Sequence, residues 1–276
     1  MNHLLAKKFF YCSVDLPFRL TYKNLSFFLI LFYVNIAPFY GRIVIPIKIL
    51  SQPDDVTCGP TSLHAVYNYF GENISLRKVI SGIEYLDNGG TLAVMLAIHA
   101  LKRNYSAKIY TYNLSIFDPT WFNSEVNIIE KLTRQKKYKQ SRRLRKATAS
   151  YIEYFKLGGE MKFVNLTPSL LQKIFKQKLP VLTGMSSTYL YNCPREIWEK
   201  DKSVYDDVKG YPAGHFVVLA GYDETTRKVI VADPYRENPV SGDNYYSVKV
   251  SRLINSIMLG ILTYDANLLV IQPKEK

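Results

Sequence analysis

Between Arg42 and Leu50 the chain reads RIVIPIKIL, a β-branched run that predicts a strand. The period then changes. After Pro60, apolar side chains at Leu63, Val66, Tyr67 and Phe70 recur at i, i+3, i+4 and i+7, one face of a helix that Gly71 stops. SLRKVISGI predicts a second short helix with Ser75 as its N-cap. DNGGTLAVMLAIHALKRN then predicts a glycine turn, a Thr91 cap and an apolar helix through His99. AKIYTYNL reads as a strand, and the region from about 121 to 159 reads as helical and basic, closed by Gly158 and Gly159. TPSLLQKIFKQKLPVLTGM predicts a helix capped by Thr167 with Pro168 in its first position, then a strand from Pro180. IWEKDKSVYDDVKGYPA reads as a polar loop. The last quarter is regular: GHFVVLAGY, a turn at DETTRK, VIVADPY, YYSVKV, the helix SRLINSIMLGIL and the strand NLLVIQP. Residues 42–276 are therefore expected to form one α+β domain, a helical half against a sheet half, with the basic helical segment at about 121–159 as an insertion.

Composition changes that picture in two places. The 276 residues carry a formal charge of +13, and the excess is uneven. KLTRQKKYKQSRRLRK, residues 131–146, holds nine basic residues and no acidic one. Such a field attracts anionic partners, and an anionic partner for this segment is one expectation. A solvated helix face on a surface insertion is the favoured one. No Gly-rich phosphate loop, zinc-finger spacing or RNP-like aromatic signature supports binding of nucleic acid.

The second place is the N-terminus. LSFFLILFYVNIA, residues 25–37, is apolar but short for a membrane span. Residues 1–41 read as an anchor, a poor signal peptide or an extension upstream of the working domain, the last being favoured because the globular pattern opens only near Arg42. Membrane contact through 25–37 follows from the first two readings. The three cysteines, Cys12, Cys58 and Cys193, form no CxxC pair, so neither a disulfide framework nor a cysteine zinc site is expected, and no cofactor is. This favours a reducing, cytoplasmic setting over anchoring or export.

Cys58 carries the candidate chemistry. A cysteine attacks as its thiolate, whereas a free thiol of pKa ~8.5 is mostly protonated at neutral pH. A helix N-terminus and an adjacent imidazolium both favour the charged form. SQPDDVTCGPTSL places Cys58 where a helix opens, with Gly59 expected to let a substrate approach the backbone. Gln52, six residues earlier, supplies a side-chain amide that, beside the Cys58 N–H, makes an oxyanion hole. Asp54 and Asp55 read as loop or capping residues. Of the four histidines, His3 lies in the leader, His64 is rotated away from the thiol on the same helix, and His99 sits in an apolar helix as a core residue. His215 heads an apolar strand, and a turn centred near residues 224–226 returns Asp233 close to it, the arrangement in which a carboxylate orients an imidazole.

QPDDVTCGPTSL and GHFVVLAGYD…VIVADPY resemble the C39-like cysteine peptidases, a branch of the papain-like superfamily. The resemblance implies a papain-like fold, with a nucleophile helix packed on an antiparallel sheet that carries His and Asp. It implies Cys58 as nucleophile, His215 as base, Asp233 as orienting residue and Gln52 as oxyanion donor. Gly89–Thr91 resembles the family's turn near the site. Where that family processes leader peptides, an Asp commonly precedes the cysteine; Thr57 stands here, so that activity is not implied. The expected function is a cysteine-dependent amide hydrolase, a peptidase acting on a peptide or amide substrate. An acyl or peptidyl transferase of the phytochelatin-synthase-like type, and a non-catalytic papain-fold binding protein, are the alternatives.

Overall fold

The chain from Ile43 to Leu50 keeps its alternation, with Ile45, Ile47 and Ile49 buried. Only Arg42–Val44 (β1) joins a ladder, because Pro46 has no N–H to donate. The computed structural model describes residues 41–274 except 88, 124, 200, 201 and 264. The apolar run at 25–37, and with it the anchor, signal-peptide and extension readings, lies outside the described residues.

Three helices follow: α1 (Cys58–Tyr69), α2 (Leu76–Gly82) and α3 (Ala93–Lys102). Ser75 caps α2 as expected, its hydroxyl accepting from Lys78 N–H. Thr91 does not cap α3. Leu92 occupies the N-cap position, and Asp265 Oδ2 accepts from Ala93 N–H at 3.0 Å. That acceptor lies 172 residues away, beyond the reach of local sequence reading. Residues 93–101 are all buried, which marks α3 as the central helix. It packs on β2 (Tyr105–Thr111).

The basic region folds as a 3-10 turn (Pro119–Phe122), α4 (Ile128–Tyr138) and α5 (Arg142–Lys156). It is built into the core: α5 packs on α3, and Tyr154, fully buried, donates to Ala107 O at 2.9 Å. Part of the basic run is engaged within the chain. Arg142 pairs with Asp87 at 3.0 Å, Lys146 reaches Tyr85 O at 2.5 Å and Glu84 at 3.3 Å, and Lys139 donates to Ser115 O at 2.8 Å.

The remaining elements are β3 (Glu160–Lys162), α6 (Pro168–Lys176), β4 (Val181–Ser186), α7 (Ser187–Tyr191), β5 (Glu196–Glu199), β6 (Lys202–Tyr205), β7 (Gly214–Asp223), β8 (Lys228–Ala232), β9 (Tyr245–Lys249), α8 (Val250–Leu259) and β10 (Asn267–Pro273). Thr167 caps α6, accepting from Leu170 N–H at 3.2 Å. The main sheet runs β3-β2-β10-β4-β7-β8-β9, with β1 also on β7. Its pairs are antiparallel apart from β2 and β3. Eight consecutive residues of β7 are buried, since α1 and α6 pack on it. The predicted polar loop at IWEKDKSVYDDVKGYPA is instead the ribbon β5–β6, paired Glu196↔Tyr205 through Glu199↔Lys202. Its side chains are half-buried or exposed, so the apolar contrast that reveals a strand is weak there.

The β7–β8 hairpin carries a bulge between Leu219 and Gly221, next to the point where β1 crosses. Gly221 has φ +148°, and a Cβ there would lie 2.1 Å from Ile43 O. Gly221→Ala is therefore expected to cost about 3 kcal/mol. A urea midpoint unchanged from wild type would contradict this reading of the bulge.

Candidate active site

Cys58 is the first residue of α1. First-turn N–H groups have no partner inside a helix, and Pro60 brings none, so this end presents the N–H groups of Cys58 and Gly59. Gly59 serves packing rather than substrate access. A Cβ there would meet Thr91 Cγ2 at 2.5 Å and lie 3.3 Å from Leu96 and Phe216, so only hydrogen fits beside Cys58. The Ser62 hydroxyl donates to Phe216 O at 3.3 Å and ties α1 to the strand residue that follows His215.

His215 lies near the start of β7, opposite Met185 of β4. The hairpin register pairs Val218 with Ala232. Continued by one residue, it sets Asp233 opposite Val217, on the same face as His215 because side chains alternate. His215 Nε2 and Asp233 Oδ1 are 2.8 Å apart, and Asp233 is fully buried. Three further donors converge on that carboxylate: Tyr235 N–H on Oδ1 at 2.8 Å, and the Tyr191 and Tyr246 hydroxyls on Oδ2 at 2.7 Å each. Burial pushes Asp233 up, but the His215 charge and these hydrogen bonds outweigh it and hold the carboxyl below its ordinary value. Burial likewise disfavours the imidazolium. The charges of Asp233 and Cys58, with a hydrogen bond to each, overcome that and raise His215 to about 10. With Nε2 on Asp233, Nδ1 is the ring nitrogen left to face the thiol.

Neither tyrosine was visible as a functional residue in the sequence. Tyr246 occupies a buried position of the alternating strand β9, and Tyr191 ends the short helix α7. Burial, then the Asp233 charge, raises the pKa of both phenols, which keeps them protonated as donors.

The loop before Cys58 is fastened to the loop after Asp233. Gln52 N–H donates to Pro234 O at 2.9 Å, and Ser51 Oγ meets Asn244 Oδ1 at 3.4 Å. Asn244 in turn exchanges hydrogen bonds with the Asp233 backbone, at 2.8 and 2.6 Å. The Gln52 side chain donates one amide hydrogen to Asp54 O at 2.8 Å. Asp54 is a loop residue: its carboxylate accepts from Val56 N–H at 3.0 Å. Cys58 and His215 line one cleft of about 640 Å³, bordered by Asp55, Gly90, Thr91 and the β5–β6 ribbon. His64 and His99 lie elsewhere, buried and bonded to Ile74 O at 3.0 Å and to the Tyr67 hydroxyl at 2.8 Å. Among the described residues no group of three His, Cys, Asp or Glu is placed to hold a metal ion.

The sequence model of the Peptidase C39 like family matches residues 44–254, well over half of the chain and inclusive of every residue of this site. The chain belongs to the Peptidase C39 like family. It is a cysteine peptidase of the C39-like kind, and its fold is α+β, with helices packed on a largely antiparallel sheet. Similar solved structures include a protein described as a C39-like peptidase from Bacillus anthracis, at 15% identity over 85% of this chain and 99% of that one, with a TM-score of 0.45. Another is the peptidase domain of Streptococcus ComA, a bifunctional ABC transporter, at 14% identity over 83% and 99%, with a TM-score of 0.38. Xylellain, a cysteine protease from Xylella fastidiosa, aligns at 15% identity over 87% and 88%, with a TM-score of 0.35. No curated protein matches the chain.

The buried pair makes a pH prediction for this C39-like chain. His215 is raised from 6.5 to about 10, so its stabilising share is complete below 6.5 and is lost as pH climbs towards 10. The excess in urea midpoint of wild type over His215→Gln is expected to shrink between pH 7 and pH 10. An excess that grows over that range would contradict the assignment.

Proposed function

We propose that this C39-like peptidase hydrolyses amide bonds through Cys58, His215 and Asp233, with Gln52 assisting. The observation that supports it most is the buried His215–Asp233 contact of 2.8 Å, with His215 and Cys58 lining the same cleft. His215 already carries the proton as an imidazolium, and Cys58 Sγ adds as the thiolate to the substrate carbonyl carbon. The carbonyl oxygen becomes an oxyanion, for which the N–H groups at the start of α1 and the second Gln52 amide hydrogen, the first being engaged by Asp54 O, are the donors in this reading. The imidazolium then gives its proton to the amine nitrogen, the C–N bond breaks and a thioester remains. His215 next draws a proton from water, which attacks the thioester; the C–S bond breaks and the acid leaves. Asp233 holds the imidazole in one tautomer throughout.

The substrate in this reading is a peptide or another amide. An anionic partner for residues 131–146 would meet the side chains of that run left over from the contacts with Glu84, Asp87, Ser115, Glu130 and Thr263.

Cleavage of peptides by purified protein, followed by intact mass after acid quench, tests the scheme. Wild type is expected to carry an acyl adduct at Cys58 that hydroxylamine discharges, and Cys58→Ala none. His215→Ala is expected to lose about 10³-fold in kcat. Products built on added amines rather than water would convert the reading to acyl transfer. Undiminished turnover by Cys58→Ala would overturn it.

A further inference from the structure

The ribbon β5–β6 forms its own two-stranded sheet, apart from the main one. Strand alternation puts Glu196 and Trp198, with their cross-strand partners Tyr205 and Ser203, on a single face. All four of those residues line the cleft that holds Cys58 and His215. Glu196 is engaged by the Ser203 hydroxyl, so the two aromatic rings are the groups this face offers. Tyr211 joins them. It exchanges backbone hydrogen bonds with Glu196 at 3.0 and 2.8 Å, and it lines the same cleft.

These rings are uncovered. Trp198 is 58% exposed, Tyr205 52% and Tyr211 76%, a concentration of large aromatic surface beside a nucleophile. A ribbon with strands this short has no core of its own, and exposed apolar patches of this kind mark binding surfaces. The base of the ribbon is nonetheless fixed. Asp206 N–H donates to Arg195 O at 2.8 Å, and the Arg195 guanidinium is bound to Asp207 O. The rings are thus held on a short support whose two ends are bonded to each other, which limits the freedom that Trp and Tyr lose on binding.

We infer that Trp198, Tyr205 and Tyr211 form the specificity wall of the cleft, which selects peptides carrying a large apolar side chain, aromatic or aliphatic, beside the bond that Cys58 attacks. The inference rests on the amide-hydrolase reading for its substrate, and binding tests it separately from turnover. The chain has two tryptophans, Trp121 and Trp198. In Trp121→Phe/Cys58→Ala protein, Trp198 is the single emitter and no substrate is consumed.

The probes are acetylated hexapeptide amides of Gly, Ser and Ala, with Phe or Leu placed at each position in turn, against the same frame with Ala. Phe or Leu at one position is expected to shift Trp198 emission to the blue saturably, with affinity about 10-fold or more above the Ala frame. Tyr211→Ala in the same background, checked for fold by circular dichroism, is expected to erase most of that preference. A shift without cleavage by the Cys58 form supports the wall and counts against the hydrolase. Cleavage accompanied by equal shifts for all peptides, or by none, overturns the wall and leaves the hydrolase standing.

Discussion

A carboxylate with no exposed surface stays ionised only if its surroundings repay the loss of water. Asp233 is such a group, and the site is arranged around that requirement. One oxygen takes His215 and a backbone N–H, the other takes two tyrosine hydroxyls. The donors come from β7, β9, the end of α7 and the turn after β8. The local charge balance therefore depends on long-range folding. It also holds the imidazole by its Nε2 at the cleft that Cys58 lines.

The same requirement explains the fastenings around it. The bulge at Gly221 sets how β1 crosses β7, and β1 leads directly into the loop that carries Gln52 and Cys58. That loop is bonded to Pro234 and Asn244, immediate neighbours of the carboxylate in space. Ser62 adds a tie from α1 to Phe216. Cys58 and His215 come from opposite halves of the chain, yet the segments that carry them are bonded to each other through Gln52 and Ser62. Asp265 plays a comparable part for α3. Burial raises it to about 7 despite the Asn267 and Ala93 hydrogen bonds, and it supplies the helix cap that Thr91 does not.

Features set by neighbouring residues were legible in the sequence: the helix at Cys58, the caps at Ser75 and Thr167, and the hairpin that returns Asp233 to His215. Period and turn chemistry carry such information. Features set by distant partners were not. Nothing near Tyr191 or Tyr246 distinguishes them from the other tyrosines among the 22, and nothing near Ala93 announces Asp265. Gly59 was given a substrate-facing role because the side chains packed against it, Thr91 and Phe216, belong to other segments. The ribbon β5–β6 escaped notice because one face mixes Glu196 with aromatic rings and the other mixes Ile197 and Val204 with Glu199 and Lys202, so neither reads as a clean apolar stripe.

The central claim is that Asp233 and His215 together activate one thiol. Iodoacetamide rates at Cys58 and Cys193, read by peptide mass at pH 7, test it most directly. Burial raises the Cys193 thiol and slows it. Cys58 is expected to react about 10-fold faster or more, and to lose that advantage in Asp233→Ala. Equal rates at the two cysteines, or an advantage that survives Asp233→Ala, would contradict the account.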